Sequence, residues 1–300
     1  HSDPFGAISH AHADQNAFTI EAFGEALAIV SGYYPWYGSD HHRNWQWESK
    51  SSNTITFDGG IGQVVRDAKS KGRIVAFLPG NAYDYVEADA SAAYQGRLSR
   101  CVRKVVHLRP GVFILFDDVA APEPHTLEWR LHALSEMTLD EDFQRLTVAQ
   151  GDARMAVRLF YGENLAFSQT SEFEYPPERG GDDQYHFVAS TPGQVTAIRL
   201  VTVLMPYRKG AENALPVVEP VLCDAGRAVR IKDSTGVHLV AFRTAPDKPK
   251  WGVEVLDTDA DVFAVHFKPD GTADHALLHN GTYINEALPN GTTRPIATSQ

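Results

Sequence analysis

Cysteine is nearly absent from this 300-residue chain, with two, Cys101 and Cys223, against 23 glycines and 17 prolines. Two cysteines exclude a disulfide framework, and neither belongs to a Cys-x-x-Cys pair of the kind that holds zinc. Both lie in apolar, strand-like surroundings and read as buried thiols. Long apolar runs are missing too. No stretch reaches the ~20 residues of a bilayer-spanning helix, and the first residues carry no secretory signal pattern. Positive charge is in deficit, since 27 Lys and Arg face 38 Asp and Glu, for a formal net charge of −11. That balance argues against general nucleic-acid binding and against an anionic membrane surface, so an anionic ligand needs a local cationic pocket. Internal repeats are lacking, and so are the long helical patterns that parallel βαβ units require.

What remains is a chain able to bury a core, with 43% hydrophobic residues and 10% aromatic. Short β-rich runs recur along it, among them Phe18–Phe23, Thr54–Asp58, Arg73–Leu78, Val102–Leu108, Val112–Asp117, Thr126–His132, Tyr185–Ala189, Ala197–Leu204, Val237–Arg243 and Val262–Phe267. Turn signals such as Asp58-Gly59-Gly60, Pro110-Gly111 and Pro269-Asp270-Gly271 bound many of them. The expected fold is all-β, a large antiparallel β-sandwich, with short helices at most over 63–71 and 90–96. Tyr175–Asp183 reads as a loop inside the sandwich, and Pro206–Pro220 as the best internal boundary. The expected organisation is one sandwich over 1–215 and an additional sheet over 216–300 on the same body.

Chemistry concentrates near the start. In Ser9-His10-Ala11-His12-Ala13-Asp14-Gln15-Asn16-Ala17-Phe18, an extended backbone would put His10, His12, Asp14 and Asn16 on one face. The residues between them are mostly alanines, too small to crowd that face. A loop rich in aromatics and histidines follows, from Ser31 to Trp47, and includes Tyr33, Tyr34, Trp36, Tyr37, His41, His42, Arg43 and Trp45. Flat aromatic faces stack on sugar rings, while His and Arg bind carboxylates or sulfates. The same aromatics could equally plug the end of a sandwich. The glycines of Asp58-Gly59-Gly60-Ile61-Gly62-Gln63 are not a phosphate loop, because no Gly-Lys-Ser/Thr follows. The remaining histidines, His107, His186 and His238 among them, are scattered on strands and read as satisfied or exposed side chains.

The His-x-His segment, Gly24-Glu25-Ala26-Leu27-Ala28, Ser31-Gly32-Tyr33-Tyr34, the loop from Tyr37 to Trp45, Asn53-Thr54 and Asp58-Gly59-x-x-Gly62-Gln63 occur in that order. Together they resemble the C-terminal β-sandwich of heparinase II/III-type polysaccharide lyases, nearest to the exolytic oligoalginate-lyase and heparosan-lyase branch. Weaker similarity runs through Arg100–Ala120 and Trp129-Arg130-Leu131-His132. The resemblance implies an N-terminal α/α toroid that supplies the catalytic tyrosine, and an active site between toroid and sandwich. Nothing in this chain reads as those helices. The chain is therefore expected to be the C-terminal part of a lyase, inactive by itself.

The implied reaction is β-elimination at a uronic acid of an acidic polysaccharide such as alginate or heparin/heparosan. The resemblance places His10 at the sandwich-donated active-site histidine, with carboxylate neutralisation and proton transfer as its roles. Asn16, Tyr34, His41, His42 and Trp45 are candidates for holding the sugar. Zinc-bearing relatives use three ligands, of which His12 matches one, while the other two positions fall on Val30 and Ser52. One ligand of three does not close a tetrahedral zinc site, so the expectation is no cofactor, with His12 held instead by neighbours such as Asp14. Two other classes stay open. One is a metal-dependent enzyme built on His-x-His, and the other a carbohydrate-binding sandwich without chemistry.

Overall fold

The computed structural model describes residues 1–140, 145–160, 164–223, 225–289 and 292–298. Among the described residues the strands pair antiparallel, and the helical content is limited to single turns. The largest sheet has eight strands. In spatial order they are Arg73–Leu78, Tyr83–Asp89, Arg100–Leu108, Val112–His125, Val195–Arg208, Ala153–Phe160, Leu146–Gln150 and Thr138–Leu139. A four-stranded sheet runs Ala166–Thr170, Tyr185–Ser190, Leu127–Ala133, Ile55–Phe57. This is the expected antiparallel sandwich, and Arg73–Leu78 and Val237–Arg243 begin and end where the periodicity puts them.

By contact density the chain divides into two compact units. The first comprises His1–Phe77, Val86–Val105 and Leu115–Gly210, and the second Leu78–Tyr85, Val106–Ile114 and Ala211–Gln300. The second unit contains a five-stranded sheet from Val217–Val221 to Ala273–His279 and a four-stranded one from Trp251–Val253 to Thr293–Thr298. Its core is built on Trp251, Phe263, Leu239, Val265 and Ile284.

Within the first unit, Leu127–Ala133 is buried along its whole length. Alternation sends Leu127, Trp129, Leu131 and Ala133 to one face and Glu128, Arg130 and His132 to the other. The polar face escapes solvent because its side chains bond to the edge-paired strand Ile55–Phe57 and to the irregular segments that flank it. Thr56 donates to Glu128 (2.5 Å), Gly59 N–H donates to the same carboxylate (2.7 Å), and Arg130 bridges Thr56 and Glu128. Asn53 completes the attachment. Its Oδ1 accepts from His132 N–H (2.8 Å), and its Nδ2 donates to the carbonyls of Phe18 (2.7 Å) and Ile29 (2.9 Å).

The deepest anchor is ionic. Arg103 and Asp117 sit on paired strands, with 4% and 2% of their side chains exposed, and make a bidentate contact at 2.6 and 3.0 Å. The remaining guanidinium nitrogen, Nη1, donates to the carbonyls of Asn16 (2.6 Å) and Asn53 (3.0 Å). Every nitrogen of the buried guanidinium thus meets an acceptor, the condition under which a buried ion pair is tolerated. On strands Leu127–Ala133 and Tyr185–Ser190, His132 and His186 meet through their Nδ1 atoms at 3.0 Å. Burial pushes the His132 pKa well down and that of His186 to about 4, so the pair is neutral, one ring donating and the other accepting.

Several local expectations need correction. The segment from Ser9 to Phe18 is not a strand. Ser9 and Asn16 take left-handed φ values of 57° and 62°, and Ala11 and Ala17 close turns onto Ile8 and Asp14. Residues 63–71 form linked turns, not a helix, whereas 90–96 does contain a single 3₁₀ turn, Ser91–Tyr94. Neither cysteine is in a disulfide. Cys101 is buried, but Cys223 is only half-buried, just beyond the strand Val217–Val221.

Asp117→Ala leaves the Arg103 charge buried without a counter-ion and is expected to cost about 3–5 kcal/mol in urea unfolding. A loss under about 1 kcal/mol would show that the pair is dispensable. A second expectation follows from the buried imidazoles. The unfolded chain binds protons near pH 6.5, whereas His186 resists them down to about 4. The unfolded state therefore holds more protons inside that window, and stability falls as pH drops from 6.5 toward 4. Denaturant midpoints across this range should decline in the native protein and decline less in His186→Gln. A midpoint flat between pH 6.5 and 4.5 would contradict the neutral pair.

Candidate functional site

The His-rich segment is held from several sides, since its polar backbone groups find partners in other loops instead of a neighbouring strand. Ala13 N–H donates to Trp47 O (2.9 Å), Gln15 N–H to Gln63 Oε1 (2.9 Å), and Ser49 Oγ donates back to Ala13 O (2.6 Å). Ala13 and Ala17 are buried at 0% and 7% exposure, which lets the surrounding backbone approach closely. The expected shared face therefore does not exist. His10 is exposed, His12 and Asp14 are half-buried, and Asn16 is buried. Asn16 turns into the interior, where Nδ2 donates to the carbonyls of Ala88 (3.1 Å) and Cys101 (3.2 Å), so it is not placed to hold a sugar. Asp14 lies 3.5 Å from His1, and no hydrogen bond joins it to His12 among the described residues.

The aromatic loop is organised by two adjacent histidines with opposite tasks. His41 is fully buried. Its Nε2 accepts from Tyr33 N–H (3.0 Å), which puts the proton on Nδ1, and Nδ1 donates to Tyr175 O (2.5 Å). Gly32 makes that possible, because its φ is 112° and a Cβ there would sit 2.9 Å from His41 Nε2. With both nitrogens committed, His41 fastens the loop to the 173–184 segment, and Tyr33 Oη and Gly32 N–H reach the same segment at Asp182 O and Gln184 Oε1. His41 is scaffold, not a sugar contact. Trp45 is also buried, at 4% exposure, with its indole N–H donating to Ser31 Oγ (3.2 Å) and its ring against Phe173 and His186.

His42 begins a π-helical turn, His42–Gln46. Its Nδ1 accepts from Gly38 N–H (2.8 Å), so the neutral ring carries its proton on Nε2. Burial, then the neighbouring His12, His10 and Arg66, hold its pKa below the usual histidine value. Around this ring the remaining candidates gather. Ring centroids lie 4.9 Å away for Tyr34, 5.2 Å for Tyr37, 4.5 Å for Trp47 and 6.3 Å for His12. His10 stands 5.0 Å from Tyr37, is exposed, and makes no hydrogen bond with any described residue. Tyr34 and Tyr37 are 55% and 52% exposed. This is a preformed cluster of imidazoles and phenols, with one imidazole fixed as a donor and two phenols and a second imidazole open to solvent. Burial also lowers the His12 pKa, against the pull of Asp14.

Of the expected site residues, the structure gathers His10, His12, Tyr34 and His42, and directs Asn16, His41 and Trp45 to internal contacts. Tyr37, the ring that joins His10 to His42, was not singled out, and its place in the aromatic loop was the only signal for it. A zinc set does not assemble around His12. Val30 carries no donor and is exposed, Ser52 is buried, and among the described residues no three His, Cys, Asp or Glu groups converge as ligands.

Comparison with known proteins agrees with the fold. Solved structures with the same fold include a heparinase III gene product with methylated lysines (15% identity, TM-score 0.64), which covers 80% of this chain and 38% of its own. The heparan sulfate lyase HepC from Pedobacter heparinus is another, at 17% identity and TM-score 0.63, covering 78% of this chain and 37% of its own. A heparinase III at 18% identity and TM-score 0.61 covers 81% and 38%. The chain thus spans well under half the length of these proteins. No match was found among curated proteins. Residues 2–195 match the family profile described as heparinase II/III-like, C-terminal, so the chain belongs to the heparinase II/III-like family through its C-terminal domain.

Proposed function

We propose that this chain forms the sandwich side of the active site of a polysaccharide lyase that cleaves uronic-acid-containing chains by β-elimination. Alginate, heparosan and heparan sulfate all present the same chemistry. The observation that carries the reading is the cluster around His42, in which His10, His12, Tyr34 and Tyr37 meet on anchored loops. An N-terminal α/α toroid, which the resemblance implies, is the proposed partner domain and the source of the catalytic tyrosine.

The reaction sets clear demands. A base removes the C5 proton, negative charge grows on the adjacent carboxylate, and the C4–O bond breaks to leave an unsaturated sugar. A proton beside a carboxylate is a poor acid, so the site must supply donors or positive charge where the dianion develops. The Nε2–H of His42 is a fixed donor of this kind, costing no reorientation when the charge appears. His10, exposed beside Tyr37 and without a hydrogen bond to any described residue, is assigned the substrate carboxylate or the transfer of a proton. Tyr34 and Tyr37 offer phenolic donors and flat faces for the sugar.

The test uses the enzyme in which this chain is joined to its helical partner, read by the absorbance of the unsaturated product. His10→Ala is expected to lower turnover by roughly 10²–10³, the usual effect of removing one charge-stabilising donor. Its melting temperature should hold, because His10 is exposed and carries little packing. Wild-type turnover in His10→Ala on every uronate polymer the enzyme cleaves would remove the catalytic assignment.

A further inference from the structure

Arg66 belongs to neither the His-rich segment nor the aromatic loop, and nothing in the proposed reaction has yet used it. Its guanidinium lies 4.2 Å from the centroid of the Trp47 ring. That ring also packs on His42 (4.5 Å) and Tyr37 (5.6 Å), so the cation shares a platform with the cluster. Arg66 is exposed, and among the described residues no carboxylate or carbonyl engages its guanidinium. The half-buried Glu48 carboxyl senses the charges of Lys50 and Arg97 ahead of that of Arg66. In a chain of net charge −11, an exposed and unpaired arginine needs a reason.

Its backbone adds one. Arg66 takes a left-handed φ of 56°, which costs a non-glycine residue on the order of 1 kcal/mol. The turns on either side are pinned. Val64 N–H donates to Ala93 O (2.9 Å), Ser70 Oγ to Val64 O (2.5 Å), and Ala7 N–H to Asp67 O (3.1 Å). A strained residue that surrounding contacts hold in place, at the margin of a site, is the pattern expected of a functional constraint. The indole N–H of Trp47 is moreover buried without an acceptor. Stacking on an indole leaves the edges of a guanidinium free, and those edges match the paired oxygens of carboxylate or sulfate.

We infer that Arg66, laid on Trp47, is an anion-recognition residue that selects acidic over neutral sugars at the His42 cluster. The inference rests on the lyase reading and names its recognition element, a role distinct from the proton chemistry of His10. The anion is a carboxylate or a sulfate of the polysaccharide, and the two sources are separable.

The test follows the Arg66 Nε resonance of the 300-residue chain by NMR, assigned by its loss in Arg66→Gln. Four hexasaccharides are titrated: heparosan and alginate, with carboxylates only; carboxyl-reduced heparan sulfate, with sulfates only; and carboxyl-reduced heparosan, with neither. The expected result is a saturable shift of Arg66 with a charged sugar and none with the neutral one. The carboxylate and sulfate arms then show which group it binds. Arg66→Gln should weaken the charged sugar's binding roughly tenfold or more, the usual worth of a charged hydrogen bond, at an unchanged melting temperature. If Tyr37 and His42 respond while Arg66 does not, or if Arg66→Gln binds as the native chain does, the inference falls and the lyase reading stands. If no hexasaccharide moves any resonance of the cluster, the inference falls, while the lyase reading is decided separately by turnover of the joined enzyme.

Discussion

The site depends on one buried ion pair. Arg103 faces Asp117 across the interior of the first unit, and the rest of its guanidinium accounts for the carbonyls of Asn16 and Asn53. Those two carbonyls lie on different irregular segments. One carries His10 and His12, and the other leads from the aromatic loop into Ile55–Phe57. Segments without ladder partners cannot leave buried carbonyls unsatisfied, and a charged donor is among the strongest means of holding them. Asn53 repeats the principle with a neutral amide, joining Phe18, Ile29 and His132. Polar clamps thus do for these loops what hydrogen-bonded ladders do for the strands.

The histidines show how the same ring is put to opposite uses. His41 and His42 are neighbours in sequence, both buried and both kept neutral, yet their accepting nitrogens differ. A backbone N–H on Nε2 makes His41 a strut, and a backbone N–H on Nδ1 leaves His42 with an Nε2 proton to offer. The two N–H groups come from Tyr33, just after Gly32, and from Gly38, and both glycines take left-handed φ angles, of 112° and 79°. A side chain at Gly32 would collide with His41 itself. The neutral pair His132–His186 sits behind this arrangement, where His186 packs against Trp45.

The sandwich was legible in the sequence because period-2 alternation and turn residues are local signals, and strands such as Leu127–Ala133, where apolar and polar residues alternate, obey them. The heparinase II/III-like family was legible too, through the motifs linked to the His-x-His segment. The conformation of that segment was not. Alternation of polar and small residues suits an exposed strand, but it equally suits a loop whose alanines must pass close to neighbouring backbone, as Ala13 and Ala17 do. Asn16, His41 and Trp45 carry the same chemical groups whether they serve a sugar or the scaffold, and only the tertiary partners decide. Arg66 had no sequence signal at all. Its segment suggested a short helix, while the structure spends it on turns pinned by Ala93 and Ala7.

The central claim is that this irregular segment is as firmly built as the strands beneath it, so that the His42 cluster exists before substrate arrives. Native-state hydrogen exchange of the Ala13 and Gln15 amides tests it most directly, since these donate to Trp47 O and Gln63 Oε1. Amides freed only by global unfolding share the slow exchange of the core. The account predicts that Ala13 and Gln15 exchange as slowly as the strand Leu127–Ala133. Exchange at the rate of exposed loops would mean that the cluster assembles only on binding.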